Sequence, residues 1–95
     1  MKRTGIKFES GSGRYDPLAE IFRFRATDDH GRIPCAISQE AAEAIFRAPI
    51  DEATANTHFS LNEKLVFKIA EQKYHRGEIN AQGAIAISSL DRLAH

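Results

Sequence analysis

Glu20-Ile21-Phe22-Arg23-Phe24-Arg25-Ala26, then Thr27-Asp28-Asp29-His30-Gly31, then Arg32-Ile33-Pro34-Cys35-Ala36-Ile37 follow one another directly, and their reading decides the fold. In the first segment Phe22, Phe24 and Ala26 share one face while Ile21, Arg23 and Arg25 share the other, the alternation of a half-buried strand. The third repeats it, with Ile33, Cys35 and Ile37 facing one way. The middle segment holds turn formers, and Gly31 is free to take a positive φ, so the two strands are expected to pair antiparallel as a hairpin. Pro34 has no amide hydrogen to donate, which requires an edge, a bulge or a non-bonded position at that point.

Upstream, Ile6-Lys7-Phe8 alternates like a short strand, and Glu9 to Arg14 reads as an exposed loop of small, permissive residues. Downstream, Ser38 can accept a hydrogen bond from a first helical turn. Beyond it Ala41, Ala42, Ile45 and Phe46 share one helical face, predicting a short amphipathic helix to about Arg47 that Ala48-Pro49-Ile50 stops. Two boundaries then compete. Either a short helix capped by Asp51 precedes another that opens on a Ser60/Glu63 capping box, or one helix runs from about Glu52 to His75; the continuous helix is the preferred reading.

Gly77 follows as a C-terminal cap, with Lys73, His75 and Arg76 in the last turn, where cations complement the helix dipole. Leu65, Val66, Phe67, Ile69, Ala70 and Tyr74 spread over roughly 200° of the helical wheel, beyond the ~100° stripe that one packing surface requires. This helix is expected to need cover on two sides. Residues 84–87 read as a last short strand, and Ser88 with Asp91 predicts a terminal helical turn through Leu90 and Leu93. The expected fold is α+β, a small antiparallel sheet of N-terminal strand, hairpin and C-terminal strand with two or three helices on one face, forming one domain over residues 1–95.

Composition sets outer limits. Of 95 residues 42% are hydrophobic and 27% charged, too apolar and too balanced for intrinsic disorder. Thirteen Lys and Arg offset thirteen Asp and Glu, so no net field selects nucleic acid, an anionic membrane or an acidic substrate. Residues 1–34 carry seven bases against five acids, an asymmetry too small to name a partner. Cys35 is the one cysteine and closes no intramolecular disulfide; with no apolar leader, spanning run or lipidation motif, the cytoplasm is the expected compartment and membrane residence is not expected.

Phe22-Arg23-Phe24, Gly31, the run Pro34-Cys35-Ala36-Ile37-Ser38-Gln39-Glu40-Ala41, Phe59 and Ile69-Ala70-Glu71-Gln72-Lys73-Tyr74 together resemble a family of short bacterial proteins catalogued as domain of unknown function 1488. The passage from Cys35 to Ala41 is the most specific part, and the resemblance extends from about Asp16 to Asp91. The stretch before Gly11 and Ser60-Leu61-Asn62, where similar proteins often carry an arginine, depart from it. The resemblance implies a compact sheet with helices on one face, in a bacterial cytosol, and brings no activity, cofactor or catalytic residue.

The residues therefore have to supply any site themselves. Cys35 lies in alternation with Ile33 and Ile37, which points its thiol into the core, where a raised pKa keeps it inert. Asp28, Asp29 and His30 carry metal-ligating groups, but adjacent residues on a tight turn rarely converge on one ion, and nothing at a recognised spacing completes a set. His58 and His75 would stand roughly 25 Å apart along a continuous helix, too far to share a ligand, and His95 adds nothing. Gly11-Ser12-Gly13-Arg14 could form a phosphate nest, yet no helix N-terminus or Walker lysine follows it. None of the serines lies in a nucleophile-elbow pattern.

Arg23, Arg25 and Arg32 remain. They project from the non-core face of the hairpin as a basic stripe able to contact a nucleic-acid backbone, without aromatic neighbours on which bases could stack. No catalytic, cofactor-binding or metal residue is expected. The leading expectation is a non-enzymatic interaction or accessory module, self-associating through the oily flank of helix 52–76. The alternative is a nucleic-acid-associated regulator using the three arginines, and the third is a small-molecule binder or enzyme with a dispersed site.

Overall fold

The computed structural model describes residues 5–88. Its elements are β1 (Lys7–Phe8), β2 (Arg14–Asp16), β3 (Ile21–Asp28), β4 (Gly31–Ser38), α1 (Gln39–Phe46), α2 (Ala55–His75) and β5 (Ile85–Ile87). The α+β class is as the sequence reads, with both helices on one face of the sheet. The terminal turn expected through Leu90 and Leu93 lies outside the described residues.

The hairpin is the framework. β3 and β4 pair antiparallel from Ile21↔Ser38 to Asp28↔Gly31, leaving Asp29 and His30 as a two-residue turn. Gly31 takes φ +117°, and the His30 amide donates to Asp28 Oδ1 at 2.8 Å, so local chemistry closes the turn. Phe22↔Ile37, Phe24↔Cys35 and Ala26↔Ile33 face each other across the strands, and all six are buried. Pro34 lies opposite Arg25, whose amide and carbonyl both turn toward β1 and β2, to Ser12 Oγ and to the Glu9 amide. In an antiparallel ladder that makes Arg25–Pro34 a non-bonded pair, where the missing proton costs nothing.

Two strands depart from the sequence reading. Arg14, placed there in an exposed loop, instead opens β2, which pairs with β3 through Arg14↔Arg23, Tyr15↔Phe22 and Asp16↔Ile21. β1 and β2 thus form one interrupted edge beside β3, and the loop between them is pinned: the Ser10 hydroxyl and Gly11 amide donate to the Glu63 carboxylate at 2.7 and 2.8 Å. Gly13 sits against the Phe59 ring, where a Cβ would overlap it. The second departure is direction. β5 pairs parallel with β4, not antiparallel, starting opposite Cys35, because the 21 residues of α2 climb about 31 Å and carry the chain back before it re-enters the sheet.

An N-terminal side-chain cap forms at α1 but not at α2, whose N-cap Thr54 makes no capping hydrogen bond. The Ala41 amide donates to Ser38 Oγ at 3.1 Å, and α1 ends with Arg47 in the left-handed region. α2 is continuous, preceded by a turn in which Asp51 accepts from the Thr54 and Ala55 amides. The Ser60/Glu63 box does not form, since Ser60 lies within the continuous helix and no N-terminus falls there to be capped; Glu63 instead holds the β1–β2 loop. At the far end the Gly77 and Glu78 amides donate to the Tyr74 and Lys73 carbonyls, a Schellman-type closure.

The core lies between the sheet and the two helices. All six phenylalanines, with Tyr15, form one connected set of ring contacts centred on Phe22, Phe24 and Phe59. The wide apolar arc of α2 is largely met within the chain. Val66, Ile69, Ala70 and Tyr74 are buried, and Phe67 stacks on Phe8 with ring centroids 4.8 Å apart. On the flank proposed for self-association, Leu61 and Leu65 stay 78% and 45% exposed.

Candidate functional site

Helices cover one face of the sheet, and the strand register sets what the other face presents. One row across it reads Arg14, Arg23, Ala36, Ala86; the next reads Arg25, Pro34 and, beyond the start of β5, Ala84. The result is a groove of about 570 Å³ with two unlike sides. Guanidinium groups on β2 and β3 form a wall, and small apolar residues of β4 and β5 form a floor. Asn80 closes the rim, its Oδ1 accepting from the Gln82 and Ala84 amides to hold the loop before β5.

The wall is built, not merely exposed. Arg14 and Arg23 face each other across β2 and β3, a like-charge pairing that costs stability unless something offsets it. Arg14 donates to the carbonyls of Gly11 and Gly13 at 2.9 and 2.7 Å. Arg23 pairs with Asp16 at 3.1 Å and Arg25 with Glu9 at 3.0 Å, while both arginine side chains stay more than 60% exposed. The Arg23 hydrogen bond, helped by the Ala19 amide, holds the Asp16 carboxyl below the usual aspartate range. Each arginine engages only part of its five donors, so the free ones remain available to a partner.

Of the three arginines expected to act together, the structure brings Arg23 and Arg25 into the groove and leaves Arg32 on the same face near the turn, opposite Thr27. Arg14 is the member that sequence reasoning missed. Its signal was its distance from Arg23, which only a paired β2 makes meaningful. The glycine loop offers no phosphate nest, because the Gly11 amide is taken by Glu63 and the Ser12 amide by the Glu9 carbonyl.

Cys35 is 3% exposed, its thiol directed to the Ile33 carbonyl, and burial pushes its pKa up to about 12. Asp28 binds the His30 amide and the Tyr74 hydroxyl, and among the described residues no group of three or more His, Cys, Asp and Glu converges. A shallower hollow of about 260 Å³ lies beside Phe8, Phe67, Lys64 and Lys68, but those two rings stack on one another. Among the described residues no helix is long and apolar enough to cross a membrane.

The family model described as "Protein of unknown function (DUF1488)" matches residues 6–87, which includes every strand and helix above. The chain belongs to the DUF1488 family. A crystal structure of a protein of unknown function from the same family, from Shewanella loihica PV-4, is similar with a TM-score of 0.76. It is 22% identical, and the match covers 86% of this chain and 90% of that one. At that identity the likeness speaks for the DUF1488 fold alone. No curated protein matches.

Proposed function

We propose that this DUF1488 protein is a non-enzymatic interaction module that holds a carboxylate-rich protein segment on the outer face of its sheet. One observation carries the reading: a wall of Arg14, Arg23 and Arg25 stands directly beside a floor of Pro34, Ala36 and Ala86. Guanidinium pairs bidentately with carboxylate and stays protonated at any ordinary pH, so the wall binds anions but moves no protons. The nearest hydroxyl, that of Ser12, already accepts from the Arg25 amide.

Nucleic acid is the second reading, favoured by Arg32 and Lys7, which extend the cationic face past the groove. Against it, every phenylalanine takes part in the ring network on the helix side, so bases find no platform for stacking. Fluorescence anisotropy with labelled poly-glutamate and a labelled single-stranded oligonucleotide separates the two. The acidic polypeptide is expected to bind at low salt, to weaken as salt rises, and to be lost in the Arg23→Glu/Arg25→Glu variant. Tighter binding of the oligonucleotide transfers the face to the second reading. Binding of neither removes both.

A further inference from the structure

Resting on that reading, we infer that the segment held on the outer face is a short amphipathic α-helix, lying along β3 and β4 with its acidic residues on one edge. The groove is split lengthwise. Cations occupy β2 and β3, small apolar residues occupy β4 and β5, and the division runs parallel to the strands. Adjacent strands lie about 4.8 Å apart, so the four strands span about 14 Å from β2 to β5, enough to seat one helix of ~10–12 Å diameter with its axis over β3 and β4.

An extended segment does not fit this division. Laid along the strands, the residues it turns toward the sheet form a single line, and that line meets either the arginines or the alanines. A helix presents an apolar stripe with an acidic edge beside it and so meets both. Spacing agrees along the strand too. Arg23 and Arg25 are two residues apart in β3, about 6.8 Å, close to the ~6 Å that separates positions i and i+4 of a helix. Alanine and proline on the floor let a helix approach closely without displacing large side chains.

Three labelled peptides test this: a helix-forming sequence with a leucine stripe and a glutamate edge, the same residues shuffled to abolish the stripe, and oligo-glutamate. The patterned peptide is expected to bind about tenfold more tightly than the shuffled one, and to gain helical circular dichroism on binding. Ala36→Gln and Ala86→Gln, neutral changes on the solvent face, are expected to weaken the patterned peptide about tenfold and leave oligo-glutamate within about twofold. Amide shift changes confined to β3, β4 and β5 provide the same evidence in the unsubstituted protein. Equal binding of patterned and shuffled peptides overturns the helical partner while the anion-binding face stands. Failure of all three peptides, or shifts confined to α2, overturns both.

Discussion

Arg23 and Cys35 are two residues of one hairpin, and opposite faces give them opposite chemistry. Arg23 stays in water and depresses Asp16, a group whose folded pKa lies below its unfolded value. That contribution is present above the unfolded aspartate pKa and is lost as pH falls through the folded one. Substituting Arg23→Ala is expected to raise the Asp16 pKa, seen by following its carboxyl carbon through an NMR titration. Cys35 behaves in reverse: its folded pKa is raised to about 12 by burial. Stability linked to it is complete below the unfolded thiol pKa and falls as pH climbs toward the folded value. A thiol reagent near pH 8 is expected to leave the native protein unmodified and to react fully once denaturant is added. Rapid native labelling would place the sulfur in solvent.

The element whose placement matters most is β2, three residues joined to the core through the preceding loop. Gly13 lies against Phe59, and Glu63 of α2 holds Ser10 and Gly11. Gly13→Ala forces a methyl group onto a buried ring and is expected to cost about 1–3 kcal/mol, read as a lower denaturation midpoint. Glu63→Ala removes an acceptor shared by two donors that can still reach water, so a smaller loss is expected, of about 1 kcal/mol. Its sharper signature is faster hydrogen exchange at the Gly11 amide, with the β3–β4 amides unchanged. Because Arg14 rides on the same segment, both changes should also weaken anion binding without touching a groove side chain.

In the whole molecule, one side of the sheet is a sealed aromatic core and the other an open, charged face. Changes on the two sides should therefore separate stability from binding. Phe59→Ala, at the centre of the ring network, is expected to cost about 3–5 kcal/mol of unfolding free energy. The Arg23→Glu/Arg25→Glu pair is expected to move stability by no more than about 1 kcal/mol, since exposed ion pairs contribute little, while abolishing polyanion binding. Calorimetry beside anisotropy on the same variants checks both halves. An unfolded double-arginine variant would mean that the outer face is structural.

Local pattern alone determined much of this fold. Alternation in residues 21–37 placed Phe22, Phe24, Cys35 and Ile37 inside and the arginines outside, and Ser38 and Gly77 marked helix ends, because such signals depend on neighbours a few positions away. Leu65 lay within the predicted apolar arc yet stays partly exposed, since periodicity states which residues are oily and not what stands opposite them. Tertiary structure decided the rest. The three residues of β2 are too few to show a period, and their pairing depends on Phe59 and Glu63, about fifty positions away. The parallel direction of β5 depends on the length of α2 relative to β4. Arg23 and Arg25 were legible as a stripe; Arg14 beside them and the alanine floor across from them came only with the register that joins four strands into one face.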